Sequence, residues 1–141
     1  MALNKNRFLV GTNGAVWVNG QQLAQIKKVE AKVTGSFEDV SVVDNYGTFS
    51  AYTGYAIEGT LTMQKIDSFI LKLLANSYKT GIMPEVTIVS RLKDKTTGKT
   101  ERTAIKDVSL TEFFLANYES KGLIEEAIPF KASDYDILDT I

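Results

Sequence analysis

The sequence predicts a mainly β, α+β fold: a β-sandwich or partly closed β-barrel with one flanking α-helix at about 67–80. Three observations support this. Residues 55–66 alternate, with Tyr55, Ile57, Leu61 and Met63 on one side and Glu58, Thr60, Thr62 and Gln64 on the other. That is the period of a strand with one dry face. Directly after it the spacing turns helical, with Ile66, Phe69, Ile70, Leu73, Leu74 and Tyr78 recurring at steps of three and four. No other stretch has convincing helical spacing, so the remaining chain reads as strands and turns.

The elements follow in order. Residues 1–14 form a polar N-terminal arm that ends in the turn Gly11-Thr12-Asn13-Gly14. Val16-Trp17-Val18, then Asn19-Gly20, then a strand from Gln21 make a hairpin, because Asn-Gly supplies the positive φ angles of a tight β-turn. In the second strand Leu23 and Ile26 do not share a parity with Val29, Ala31 and Val33; a bulge near Lys27-Lys28 would bring both sets to the core. Residues 35–54 mix Gly, Ser, Thr and Asn with Phe37, Tyr46, Phe49 and Tyr52. Two readings are open: a pair of short strands turning at Asn45-Tyr46-Gly47, or a long loop that orders against another molecule through its aromatics. Asp67 or Ser68 caps the helix, and Gly81 and Pro84 end it. Residues 85–92 and 103–110 read as a hairpin with a charged tip around Gly98. Residues 111–118 fit either a strand or a short helix. A last strand follows Gly122, with Pro129 best placed at a sheet edge. Residues 133–141 read as an acidic, peripheral C-terminal tail.

At 141 residues and 44% hydrophobic composition, the chain reads as one domain, 1–141, with a real core. A net charge of −1 gives no global basic field for nucleic acid or an anionic membrane. No apolar run approaches bilayer length and no signal-peptide core is seen at the N-terminus, so synthesis in a cytoplasm and no membrane insertion are expected. The absence of Cys removes disulfides, thiolate nucleophiles and thiolate metal sites, and the absence of His removes Ser-His and Cys-His dyads and imidazole ligands. Paired-carboxylate chemistry remains open, with 17 Asp and Glu present.

No motif fills that opening. Gly11-Thr12-Asn13-Gly14 lacks the spacing and the Lys of a phosphate loop. Asp134, Asp136 and Asp139 lack the Gly and closing Glu of a calcium loop. Glu125 and Glu126 are adjacent in a strand and point to opposite faces, so they do not share a site. Glu58 reads as a surface carboxylate. Lys93, Lys95, Lys99 and Arg102 are interrupted by Asp94 and Glu101 and read as a solvated tip. The sequence calls for no catalytic residue, cofactor or metal. Its surplus of strand points elsewhere, since exposed sheet edges and an aromatic extension suit association between copies.

The order of elements resembles a known family. The start Met1-Ala2-Leu3, an early Gly-rich turn and Asn19-Gly20 precede Val29-Glu30-Ala31-Lys32-Val33 and a polar loop reaching Thr53-Gly54. Gly59-Thr60-Leu61-Thr62-Met63-Gln64-Lys65 leads into the helix. Thr97-Gly98-Lys99-Thr100-Glu101-Arg102, Asp107-Val108 and Glu125-Glu126-Ala127-Ile128-Pro129-Phe130 follow, close to a Tyr-Asp terminus. Together these resemble the tail tube proteins of PBSX-type prophages and related R-type bacteriocins, the XkdM-like family, over nearly the whole chain.

The resemblance implies a tail tube-like fold with no catalytic residues, in which six subunits form a ring, their sheets join into one inner barrel, and rings stack into a hollow tube. Its partners would be further copies of itself, a tail sheath, a baseplate or initiator and a tape-measure protein, with DNA only as passing cargo. The particle would be a virion tail, contractile by this reading, or a bacteriocin that punctures an envelope. Residues 35–54 become the assembly loop, with Phe37, Tyr46, Phe49 and Tyr52 as inter-ring contacts. Lys28, Glu30, Lys32, Glu58, Thr60, Thr62 and Gln64 become the lumen lining, a mixed-sign surface over which a polyanion slides without sticking. The rival readings are a monomeric β-sandwich binding module, a type VI secretion-like tube or head–tail connector subunit, and an enzyme that uses carboxylates alone.

Overall fold

The computed structural model describes residues 3–141, and of the arm expected over 1–14 residues 1 and 2 lie outside the described residues. Two antiparallel sheets face one another, and no barrel closes among the described residues. The first holds β1 (Gly14–Val18), β2 (Gln21–Gln22), β5 (Ile88–Lys93), β6 (Thr100–Lys106) and β9 (Asp134–Asp139) in the order β2-β1-β5-β6-β9. The second holds β3 (Ile26–Ser41), β4 (Thr48–Gln64), β7 (Ser109–Leu110) and β8 (Glu125–Ala132) in the order β3-β4-β8-β7.

Alternation decides which side chains meet between the sheets. Val16, Val18, Ile88 and Ile105 come from one sheet, and Ile57, Leu61, Met63, Ile128 and Phe130 from the other, all buried in one apolar cluster. Two short helices close the end of this core, α1 (Phe69–Leu74) and α2 (Ser77–Thr80), through Ile70 and Leu74. The helical stretch expected at about 67–80 is therefore present but broken at Ala75-Asn76. Asp67 accepts from the backbone N–H of Phe69 at 3.1 Å, and Gly81, at φ 76°, ends α2 in the left-handed conformation. Ile66 stays outside the apolar stripe and is exposed.

The Asn19-Gly20 hairpin forms as expected, pairing Trp17 with Gln22. The expected bulge is also present. The β3–β4 register shifts between Ile26 and Lys28, so Ile26 faces Met63 while Val29 faces Leu61, both towards the core. Residues 111–118 form neither strand nor helix; they cross the sandwich end irregularly and pack Phe113 and Phe114 against the core. The strand expected over 103–110 divides at Asp107, whose φ of 53° turns the chain from β6 in one sheet to β7 in the other. Pro129 turns its nitrogen away from β4, towards the side where its carbonyl accepts from Thr111 N–H, so it breaks no bond of the central ladder.

Of the two readings open for residues 35–54, the structure follows the paired strands rather than the long loop: β3 and β4 continue pairing to Ser41 and Thr48, and the turn at 42–47 of a projecting hairpin contains Asn45-Tyr46-Gly47. The small polar residues are the solvent-facing residues of a two-stranded ribbon. One segment differs from its expected form: residues 133–141 are not a loose tail. Asp134–Asp139 is the edge strand β9, placed by Tyr135 opposite Ile105 and by the pairs Lys106–Asp136 and Arg102–Asp139. At the root of the hairpin Tyr55 donates its hydroxyl to the Ser133 carbonyl at 2.9 Å and meets Tyr135 edge to face. The two sheets are tied there.

Candidate assembly surfaces

The outward face of the second sheet gathers all seven polar residues selected from sequence. Lys28 lies opposite Thr62, Glu30 opposite Thr60 and Lys32 opposite Glu58, and directly opposed residues share a face. The next strand extends these rows, pairing Gln64 with Glu125, Thr60 with Pro129 and Glu58 with Lys131. Sequence reasoning had missed this third strand as part of the surface. Its signal was the parity of Ile124, Ile128 and Phe130, which leaves Glu125, Ala127, Pro129 and Lys131 facing outward.

Charge on this face is mixed and nearly balanced. Lys27 at the bulge reaches Glu125 at 2.9 Å, Gln64 donates to the same carboxylate at 3.5 Å, and Lys28 lies 3.8 Å from Glu30. The row Lys32–Glu58–Lys131 alternates in sign across three strands. Exposed pairs of this kind add little stability, ~0–1 kcal/mol each. Their effect is to leave no block of positive potential on the face.

The same sheet has two edges available for pairing. β3 is terminal along its whole length, and β7 covers only Phe130 and Lys131 at the other end. The outer side of Glu125–Ile128 is thus largely uncovered, with Asn117 donating to the Glu125 carbonyl at 3.0 Å. Long, uncovered edges are templates for a further strand.

The projecting hairpin holds the four selected aromatics but does not bring them together. A second register shift, between Ser36 and Phe37, leaves Thr53 as an extra residue beside Gly54 at φ 151°. Beyond it Phe37 and Tyr52 pair edge to face at 5.6 Å on the continuation of the core face. Phe49 pairs with Val40 on the opposite face, and Tyr46 stands fully exposed in the turn. Asp44 at φ 68°, and Asn45 accepting from Gly47 N–H at 2.8 Å, shape that turn.

The remaining polar clusters are structural. Asp94 folds the β5–β6 tip, its carboxylate accepting from Thr97 Oγ1 and Thr96 N–H at 2.9 Å each. Those hydrogen bonds hold its pKa below the usual carboxylate value. Glu126 is buried against Lys65 at 3.4 Å, while Glu125 is on the outer face, so the adjacent pair divides as its parity requires. Among the described residues no group of His, Cys, Asp and Glu is placed to hold a metal ion. No helix among them is long and apolar enough to cross a membrane. What this geometry can do is pair strand edges and bury aromatic side chains.

Comparison with known proteins agrees with that chemistry. Residues 1–139 match the family model described as phage tail tube protein. The phage-like element PBSX protein XkdM of Bacillus subtilis (strain 168) is 30% identical over 139 residues, covering 97% of this chain and 95% of its own length. Among solved structures, the tube-terminating cap of the anti-feeding prophage superposes with a TM-score of 0.77 at 10% identity, covering 99% of this chain and 95% of that one. A chain of the sheath–tube complex of an extracellular contractile injection system, PVC, superposes with a TM-score of 0.71 at 11% identity, covering 94% and 92%. At such identities these two structures establish the shared fold.

Proposed function

The chain belongs to the phage tail tube protein family and is a structural component of a tail-type particle, and from that premise we propose that it forms six-membered rings that stack into a hollow tube. The observation behind the ring is the uncovered edge β3 and, on the far side of the same polar-faced sheet, the stretch Glu125–Ile128 of β8 that β7 leaves unpaired. Joining β3 of one copy to β8 of the next continues the sheet by main-chain hydrogen bonds. A constant rotation at each step closes it into a barrel.

In this reading Lys28, Glu30, Lys32, Glu58, Thr60, Thr62 and Gln64 line the bore. Its near-balanced charge lets a polyanion pass without the salt-sensitive binding a basic bore would impose. DNA is then cargo, and in a headless bacteriocin the same tube punctures an envelope. The first sheet faces outward, towards a contractile sheath. A baseplate or initiator and a tape-measure protein complete the partners, and the hairpin 36–53 reaches between rings. The site of action is the virion tail or bacteriocin particle, assembled in the bacterial cytoplasm.

Negative-stain electron microscopy of the concentrated protein, alongside light scattering, tests this. Rings or hollow tubes with six-fold end views are the expected result. A chain that remains monomeric at high concentration, with or without an assembled baseplate as seed, overturns it in favour of a monomeric binding module.

A further inference from the structure

A cavity of about 470 Å³ opens at the start of β3, between the two sheets. Val16, Leu23, Ile26, Val29 and Leu92 form the apolar part of its wall, and Lys27, Lys28, Arg91 and Glu101 are the charged residues that complete it. We propose that this cavity is the seat for the hairpin tip of a second copy, which inserts Val42, Val43 and Tyr46. The assignment rests on the reading of the hairpin as the contact between rings and names the receptor for it.

Position is the first argument. The tip, at 42–47, and the cavity, beside Ile26, lie at opposite ends of β3, a strand of 16 residues. At ~3.3 Å per residue that separation is about 50 Å, so no chain can fill its own cavity with its own tip. A contact between the two is intermolecular and heterologous, and repeated along the strand direction it propagates without closing. A stacked tube needs a contact of that kind.

Charge is the second argument. From Val33 to Gln64 the sequence contains no Lys or Arg, while the hairpin carries Glu38, Asp39 and Asp44. Cations collect at the other end. Lys27 and Lys28 line the cavity, and Lys93, Lys95 and Lys99 lie on the tip that begins just past Leu92 and Glu101. Lys5 and Arg7 flank Asn6, whose carbonyl accepts from Thr96 Oγ1 on that same tip at 2.6 Å. Glu101 opposes the trend, Lys27 is engaged by Glu125, and Lys28 lies near Glu30. Asp94 is committed to its own turn. The balance is still a basic rim facing an acidic arm, which favours head-to-tail encounter and disfavours tip-to-tip.

Shape and polarity agree. Val43 and Tyr46 are almost wholly exposed, at 92% and 110%, and Val42 beside them is half exposed. A cavity of this volume falls in the range of about 300–1,000 Å³ typical of ligand pockets.

Because the chain has no Cys, disulfide trapping tests this directly. The variant Val43→Cys with Ala24→Cys places one thiol at the tip and one in the cavity lining; Val43→Cys with Leu115→Cys places the second on an exposed site outside it. All three positions are exposed, so the fold is kept. Oxidation of assembled protein should give a ladder of disulfide-linked multimers with Ala24→Cys, several-fold above the Leu115→Cys control. Tubes that form normally but cross-link only through Leu115→Cys, or only as 43–43 dimers, overturn the cavity assignment while leaving the tube intact. Absence of any assembly by microscopy removes the tube reading and this proposal with it.

Discussion

Phe130 lays its ring directly over Gly59, its cross-strand partner. A Cβ built at residue 59 would stand 2.5 Å from Phe130 Cζ and 2.2 Å from the carbonyl oxygen of Glu30. The ring is buried and the oxygen belongs to β3 backbone, so neither can yield cheaply. Gly59→Ala should cost ~3 kcal/mol or more through overpacking. Gly35→Ala is the contrast, because its Cβ would meet the Phe37 ring at 2.7 Å, the end of an exposed side chain that can swing away. A loss within about 1 kcal/mol is expected there. Urea denaturation of the two variants decides the point, and equal losses would contradict it.

Lys65 and Glu126 form an ion pair whose side chains are 23% and 7% exposed. Removing the lysine leaves a buried carboxylate without its counter-charge beside Met63, Phe69 and Phe114. Lys65→Met should destabilise by about 2–3 kcal/mol, and Lys65→Met with Glu126→Gln should recover much of it, since the uncompensated charge is the dominant penalty. A double variant as unstable as the single one would show that packing, not charge, is what the pair supplies.

The parts legible in the sequence were those set by local period. The alternation of 55–64 gave β4 and its two faces, and the parity slip at Leu23/Ile26 located the bulge at Lys27. The polar-face residues were identified for the same reason, because a strand's faces follow from parity alone. The hairpin 36–53 was only half legible: Gly35, Asp39 and Gly54 weaken β-propensity, and nothing local reports that β3 and β4 pair past the core. Beyond the two sequence-adjacent hairpins, β1–β2 and β5–β6, strand partners were not legible. That Thr60 meets Pro129, or that Tyr135 packs on Tyr55, depends on contacts far apart in sequence, and so the third strand of the polar face and the edge strand in the acidic C-terminus escaped notice.

The Asp94 turn should loosen in acid. Hydrogen bonds from Thr97 and Thr96 depress its carboxyl below the 3.8 of an unperturbed group. A depressed pKa contributes order that is complete above the unfolded value and is lost as pH falls through the folded one. The tip 93–99, and the arm held through Thr96, should therefore become protease-sensitive below about pH 4. Asp94→Asn should show part of that sensitivity already at pH 7. Unchanged cleavage from pH 7 to pH 3 would rule out this role for Asp94.

Beyond Gly54 the hairpin is a ribbon of two strands, with no third strand on either side among the described residues. Isolated two-stranded ribbons are marginal in water. In the unassembled chain, amides of 36–53 should exchange orders of magnitude faster than those of 57–63, which lie between β3 and β8. Assembly should slow the first set and leave the second nearly unchanged. Equal protection of both sets in the monomer would mean that the hairpin is rigid before any partner arrives.

The four hairpin aromatics should separate into two classes. Phe37 and Tyr52 touch at 5.6 Å across the ribbon, so they stabilise the hairpin itself; a double-mutant cycle to Ala should give a coupling of ~0.5–1.5 kcal/mol. Tyr46 is fully exposed in the turn, and Phe49 lies opposite Val40 and is half exposed. Tyr46→Ala should leave monomer stability and hairpin exchange unchanged yet raise the protein concentration needed for tube growth several-fold. Phe37→Ala should alter both exchange and growth. The two measurements, taken on the same preparations, distinguish a residue that shapes the hairpin from one that makes contact for it. If Tyr46→Ala assembles at the same concentration as the parent chain, the tip is not a contact, and the search for one moves to Phe49 and Val40 on the face that continues the polar surface.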